Sequence, residues 1–370
     1  MQKIQMVDLR GQYEKIKTEI DTAIQEVINS TAFINGPQVR EFNNNLAAYL
    51  GVKHAISCAN GTDALQIALM ALGLKPGDEV ISPDFTFIAT VEVIALLGLK
   101  PVLVDVDPET FNIDPVKVRK AITPKTKAIV PVHLFGQCAN MKELLLIAEE
   151  YKLFIIEDNA QAIGGTYCDG ALTGKAGTIG HLGCTSFFPS KNLGCFGDGG
   201  ALMTNDDALA EKIRFIANHG SKVKYYNDEV GVNSRLDTLQ AAILNVKLKY
   251  LDQYIAARQK AALVYNQLLT DVNEVTTPVV SNYSDHVYHQ YTIKVKGDRN
   301  ALQKYLQENN IPAMIYYPVP MHSQKAYKME GDYPVTDFLK DTVISLPMHT
   351  ELTLDQQEYI CSRIMNFFKN

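Results

Sequence analysis

An α/β fold with a mostly parallel central sheet is what this sequence predicts, and three observations predict it. Apolar runs of strand length alternate with amphipathic runs of helix length from His54 to Thr204. The strand-like runs are apolar throughout, as in strands covered by helices on both faces. From Ser234 the rhythm changes to one long helical stretch, which carries the chain into a second, smaller α/β unit. The expected division is a large domain over residues 1–245, with an N-terminal arm, and a small C-terminal domain over residues 246–370.

Each element has its own signal. His54-Ala-Ile-Ser-Cys58 reads as a short strand, and Ala59-Asn60-Gly61-Thr62-Asp63-Ala64 opens a helix whose apolar positions are Leu65, Leu69 and Leu72. Strands are expected at 78–82, 101–105, 127–132 and 153–156, with helices at 90–97, 115–122 and 141–151 between them. A strand at 201–204 follows, then a helix through Leu209, Ile213 and Ile216 that ends at Asn218-His219-Gly220. The long helix runs through Leu239, Ile243, Leu248, Leu251 and Ala257 towards Leu268. The remainder offers a strand at 288–295, a helix at 299–309 and a terminal helix at 354–368. The chain shows neither an internal repeat nor a low-complexity tract.

Composition excludes several classes of function. A 370-residue chain with 46% apolar content can bury a large core, yet no stretch is long and apolar enough to cross a bilayer. The first ten residues lack the apolar segment of a signal peptide, which makes the cytoplasm the expected compartment. Six cysteines show neither a CxxC pair nor zinc-ligand spacing, so reduced, mostly buried thiols and no metal are expected. A net charge of −6 without a basic cluster argues against nucleic acid as a partner.

The chemistry concentrates at Ser186-Phe-Phe-Pro-Ser-Lys191 and the glycines Gly194, Gly197, Gly199 and Gly200. A lysine between a hydroxyl and a glycine run suits an amine that holds a carbonyl cofactor beside a phosphate cradle, so Lys191 reads as a Schiff-base lysine. Upstream, the strand at 153–156 delivers Asp158 to the sheet edge where open α/β folds bind ligands. Together Lys191 and Asp158 supply what pyridoxal phosphate requires: an amine for its aldehyde and a carboxylate that keeps its ring nitrogen protonated. The helix start at Gly61-Thr62 adds free N–H groups for a phosphate. Taken singly, each feature has a plainer reading: a solvated lysine, a turn-forming acid, an N-cap by Thr62 or Asp63.

Five segments, taken in order, resemble one family. They are Asn60-Gly-Thr-Asp-Ala-Leu65, Pro83-Asp-Phe-Thr-Phe-Ile-Ala-Thr90, Glu157-Asp-Asn-Ala-Gln-Ala-Ile-Gly164, the segment Ser186 to Gly200 and Gly231-Val-Asn-Ser-Arg-Leu-Asp237 with the helix that follows. The family is the DegT/DnrJ/EryC1/StrS sugar aminotransferases, whose fold is the type I pyridoxal-phosphate (aspartate aminotransferase-like) fold. The resemblance runs from Val7 to about His349, and is nearest to enzymes that aminate C3 of UDP-2-acetamido-2-deoxy-3-keto-glucuronate.

That resemblance implies roles for further residues. Phe87 would stack on the cofactor ring, Ser186, Gly61 and Thr62 would hold its phosphate, and Gln161 would face its ring hydroxyl. Asn233 would reach the partner subunit's cofactor phosphate across a homodimer interface, so that active sites are shared. Arg235, Tyr316, Tyr317 and His322 would contact substrate. Without the family, Phe87 is core packing and Asn233 is the N-cap of the long helix, with Arg235 solvated. The nearest group is expected to carry histidine where this chain has Tyr316. The implied reaction moves an amino group from L-glutamate to a keto-sugar nucleotide, for surface polysaccharide biosynthesis. Runners-up are a dTDP-3-keto-6-deoxyhexose or 4-keto acceptor, and a pyridoxal-phosphate-binding sensor without turnover. A related dehydratase would carry histidine in place of Lys191, and a desulfurase would need a mobile nucleophilic cysteine.

Overall fold

The computed structural model describes residues 3–369 apart from 224 and 328. Its main sheet has seven strands: β1 (His54–Cys58), β2 (Glu79–Pro83), β3 (Lys100–Val104), β4 (Thr126–Ile129), β5 (Phe154–Asp158), β8 (Leu182–Ser186) and β9 (Gly200–Thr204). Between β5 and β8 a hairpin intervenes, β6 (Thr166–Asp169) and β7 (Leu172–Lys175). The sheet order is β1-β9-β8-β5-β4-β2-β3, and β9 alone runs antiparallel to its neighbours. The expected mostly parallel α/β sheet is therefore what forms.

Helices cover both faces, and their ends show why they start where they do. Here α1 is Leu9–Ser30, α2 Pro37–Leu50, α3 Gly61–Ala71, α4 Ala89–Leu96, α5 Pro115–Ala121, α6 Met141–Tyr151 and α7 Asp207–Ala217. Asp114, Asn140 and Asp206 cap α5, α6 and α7 by accepting first-turn N–H groups, and Pro115 occupies the first helical position. One core layer joins Phe42 and Leu46 of α2 to Ile129, Ile155 and Leu144, and the opposite layer joins Leu65 and Ala68 of α3 to Ile94, Ile156 and Ile213. Full burial of a side chain such as Phe42 or Leu46 contributes roughly 1.5–3 kcal/mol.

The long helix differs from expectation, because it is two: α8 (Thr238–Leu248) and α9 (Leu251–Leu268). At the break Lys249 and Tyr250 bond back to Val246 and Lys247, a tighter three-residue turn made without glycine or proline. Leu251 and Ile255 of α9 belong to the first core, whereas Ala261, Ala262 and Tyr265 belong to a separate one. That second core is built by α10 (Arg299–Glu308), α12 (Leu354–Lys369) and a three-stranded antiparallel sheet of β12 (Val275–Thr276), β13 (Tyr291–Val295) and β14 (Val343–Leu346). Ile4 of the N-terminal arm packs into it. Helix α11 (Pro334–Thr342) and a small hairpin, β10 (Ser221–Val223) with β11 (Tyr226–Asn227), complete the elements.

Among the described residues no helix is long and apolar enough to cross a membrane, and no cluster of histidine, cysteine and carboxylate side chains could hold a metal ion. All six cysteines are free thiols, and Cys168 alone is exposed.

Candidate active site

The parallel strands end on one edge, and a cavity of about 660 Å³ opens there. Gly61, Thr62, Phe87, Asp158, Gln161, Ser186, Lys191, Tyr316 and Tyr317 all line it, although they come from five separate stretches of sequence.

Asp158 is the last residue of β5, next to Cys184 of β8, and is buried. Its Oδ2 accepts from the Thr90 hydroxyl at 2.8 Å and its Oδ1 from the Ala160 amide at 3.1 Å. Desolvation nonetheless pushes its carboxyl above the usual range; Thr90 and Ala160 pull the other way. A cation facing the carboxylate would draw it back down, so this acid is matched to a positively charged ligand atom.

Lys191 sits in the turn after β8, where its amide donates to Phe188 O at 2.8 Å. Burial lowers its ammonium to about 8, against the opposing pull of Asp158. A lysine shifted this far keeps about a tenth of its amines neutral at pH 7, which a nucleophile or proton carrier needs.

The helix start beside it is shaped for a phosphate. Asn60, not Thr62 or Asp63, is the N-cap of α3: its side chain accepts from the Asp63 amide at 2.8 Å. The amides of Gly61 and Thr62 are then donors that the helix itself cannot satisfy. A Cβ on Gly61 would stand 2.7 Å from the Ser186 Cβ, and one on Gly200 would stand 2.3 Å from the Asn60 carbonyl oxygen. Glycine at both places lets backbone approach the Ser186 hydroxyl closely and leaves room for an anion.

Phe87 remains about half exposed at 53%, in contrast to the fully buried Phe85. The core-packing reading thus applies to Phe85, while Phe87 gives the cavity an apolar face, its ring 6.1 Å from that of Tyr317. Gln161 is held at both ends of its amide, accepting from the Phe135 amide at 2.8 Å and donating to the Tyr317 hydroxyl at 3.0 Å. The donor set fits pyridoxal phosphate: an amine, a strand-end carboxylate, an aromatic face and a phosphate cradle around one cavity.

The DegT/DnrJ/EryC1/StrS aminotransferase family model matches residues 14–365. The chain belongs to this family. It is 48% identical to the pleiotropic regulatory protein of Geobacillus stearothermophilus, over 99% of both chains. Its identity to the UDP-2-acetamido-2-deoxy-3-oxo-D-glucuronate aminotransferase of Pseudomonas aeruginosa is also 48%, over 98% of this chain and all of that one. The crystal structure of NtdA from Bacillus subtilis with bound cofactor PMP superposes with a TM-score of 0.91 at 33% identity, covering all of this chain and 86% of that one.

Three residues named from the family motifs lie off the cavity of the protomer. Asn233 is exposed, does not cap a helix and pairs with Asn218 in an isolated bridge; Asp237 stands at the start of α8. Arg235 is half-buried and makes no hydrogen bond or ion pair among the described residues. Between them Ser234 accepts from the Ala59 amide at 3.0 Å, so the segment does run beside the phosphate cradle. His322 is bonded to Asp84 instead. Sequence reading missed Thr90, His289 and Gln290, which reach Asp158 or the cavity wall through tertiary packing. It also missed the fully buried His133–Glu157 pair under β5, 2.8 Å apart, in which Glu157 also accepts the amides of Gly177, Ile179 and Gly180. No periodicity signals such contacts, although Thr90 and Glu157 both lay within quoted motifs.

Proposed function

We propose that this aminotransferase uses pyridoxal 5'-phosphate to move an amino group from L-glutamate to C3 of a keto-sugar nucleotide, namely UDP-2-acetamido-2-deoxy-3-keto-glucuronate. The observation that carries the reading is the meeting of Lys191, Asp158 and the Gly61–Ser186 cradle around one cavity. The cofactor supplies a carbonyl for amine exchange and a ring that accepts electrons. Lys191 would anchor it and, as a free amine, would take and return the proton at the substrate carbon. Asp158 would hold the ring nitrogen's proton, and Phe87 would keep water off the ring.

A homodimer with shared sites belongs to the same proposal. Phe33, Ile34 and Phe196 are exposed apolar side chains near the residues that follow Asn233–Arg235: Ile34 bridges to Asp237, the Thr238 amide donates to Phe33 O at 3.0 Å, and the Phe196 amide donates to Gln240 Oε1 at 2.8 Å. A second copy seated on this face would cover them and bring Asn233 and Arg235 towards its own cavity. Lys191 is the only cation lining the cavity of one protomer among the described residues, so a uronate carboxylate needs a second one, and Arg235 of the partner is the candidate. A cytoplasmic role in surface polysaccharide synthesis follows from this substrate.

Tyr316 favours a second acceptor class, because neutral hydroxyls on the cavity wall suit an uncharged 6-deoxy sugar equally well. Two measurements test the reading. Glutamate should convert the bound cofactor's absorbance to that of its amine form, which a sensor without turnover fails to do. A panel of keto-sugar nucleotides read by mass spectrometry should then give amination of the UDP-3-keto-uronate; amination of only a 6-deoxy or 4-keto sugar overturns that substrate.

A further inference from the structure

Beyond the substrate reading of His322, its contacts join the C-terminal part of the chain to the main sheet. The adjacent strands β2 and β3 pair Pro83 with Val104, and each is followed by a buried aspartate, Asp84 and Asp105. Asp84 is turned to the segment that follows Tyr316 and Tyr317, and Asp105 to the start of α11. Asp84 accepts the His322 backbone amide on Oδ1 at 2.7 Å and the His322 Nδ1 on Oδ2 at 2.6 Å, while its carbonyl accepts the Met321 amide at 3.2 Å. Asp105 accepts the amides of Val335 and Thr336, each at 2.9 Å, and the Thr336 hydroxyl at 2.8 Å.

We propose that Asp84 and His322 form a latch that sets the position of Tyr316 and Tyr317 against Phe87, with Asp105 as its second anchor. Both sides of the cavity wall depend on it. On one side Phe87 lies three residues past Asp84. On the other, Pro318 and Pro320 stiffen the short link from Tyr317 to His322, so an anchor at His322 is transmitted to the tyrosines. The Tyr317 ring lies 6.1 Å from both Phe85 and Phe87, and Met321 packs under the latch against Val91 and Leu103. Tyr333 stacks on the His322 ring at 4.8 Å, which fixes the plane in which Nδ1 meets Asp84. His322 is on this account a positioning residue.

The geometry makes an asymmetric demand. Asparagine places an amide nitrogen where histidine has Nδ1, whereas glutamine places it where histidine has Nε2. In the cofactor-loaded enzyme His322→Asn should therefore keep the latch, and His322→Gln should lose it. Amide exchange over 316–323 and the KM for the sugar nucleotide should each rise about tenfold in the glutamine variant and stay within about twofold of the parent in the asparagine variant. Equal behaviour of the two variants, or unchanged exchange in His322→Gln, overturns the latch. The kinetic arm rests on the proposed acceptor class, but the exchange arm needs no acceptor, so failure of the substrate reading and failure of the latch are separable.

Discussion

The buried Thr90 hydroxyl donates to Asp158 Oδ2 at 2.8 Å behind the cavity wall, and this bond decides where the carboxylate points. The two residues come from the first turn of α4 and the last residue of β5. One oxygen of Asp158 is thus held by Thr90 and the other by the Ala160 amide, which fixes the plane of the group before any ligand arrives.

Thr90→Val should slow both half-reactions by about ten- to a hundredfold, since a hydrogen bond to a charged group is worth roughly 1.5–3 kcal/mol. Asp158→Asn should keep the cofactor bound but slow both half-reactions further, because a carboxamide cannot hold the ring nitrogen protonated. Single-turnover absorbance traces with glutamate check both. An Asp158→Asn enzyme as fast as the parent would reduce the acid to a structural role.

Lys191 allows a test in the cofactor-free protein. Its folded value, about 8, lies below the ordinary 10.5, so the unfolded chain holds more protons between these values. Stability from this group is accordingly lowest below about pH 8 and recovers as pH rises towards 10.5, an effect of up to ~3 kcal/mol. Lys191→Met should unfold at higher denaturant than the parent at pH 7, with the difference shrinking by pH 10. The same variant should turn over several orders of magnitude more slowly when cofactor is supplied. A denaturation midpoint difference that is flat with pH would remove the buried-amine argument.

Gly61→Ala should weaken cofactor binding at least about tenfold, because the new methyl would lie 2.7 Å from the Ser186 Cβ, within the cradle. Gly73→Ala serves as the control: its φ of +68° strains the backbone, but nothing stands within 4 Å of the added Cβ. Fluorescence titration of the apoprotein measures both, and equal losses would mean that the cradle is not where the phosphate binds.

Much of this was legible in the sequence, and what was not has physical reasons. Strand β5 announces itself because Leu153-Phe-Ile-Ile156 must be covered on both faces, and the acid that follows has one place to go. Strand β8 is silent: Leu182-Gly-Cys-Thr-Ser186 has too few apolar side chains to mark a strand, and Gly183 serves a close approach to the Gly177 carbonyl. The α8–α9 break also left no trace, since Lys249 and Tyr250 keep helix-like backbone angles while the bonding shifts by one residue. Asp84 with His322 and Thr90 with Asp158 are pairs that only tertiary structure creates.

The proposed sharing of sites predicts complementation. Lys191→Ala chains and Asn233→Ala, Arg235→Ala chains should each be nearly inactive alone, but a mixed dimer contains one site with both defects and one with neither. Activity should return on subunit exchange to a fraction set by the proportion of mixed dimers. If heterodimers form without recovery, Asn233 and Arg235 act within their own protomer or at no site.

The proposed role of Arg235 gives a test of the acceptor sugar. In the protomer its guanidinium has no carboxylate partner among the described residues, while the cavity wall presents the neutral hydroxyls of Tyr316 and Tyr317. A planar guanidinium binds a carboxylate through two hydrogen bonds, and a phenol offers one neutral donor to any sugar alike. Arg235→Ala should therefore cost about 2–4 kcal/mol in kcat/KM for the UDP-3-keto-uronate and much less for a dTDP-3-keto-6-deoxyhexose. The ratio of the two efficiencies, measured in parent and variant, decides between them. A parent that prefers the 6-deoxy sugar defeats the uronate assignment, leaves Lys191 and Asp158 in their roles, and makes Tyr316 the residue whose hydroxyl selects the substrate.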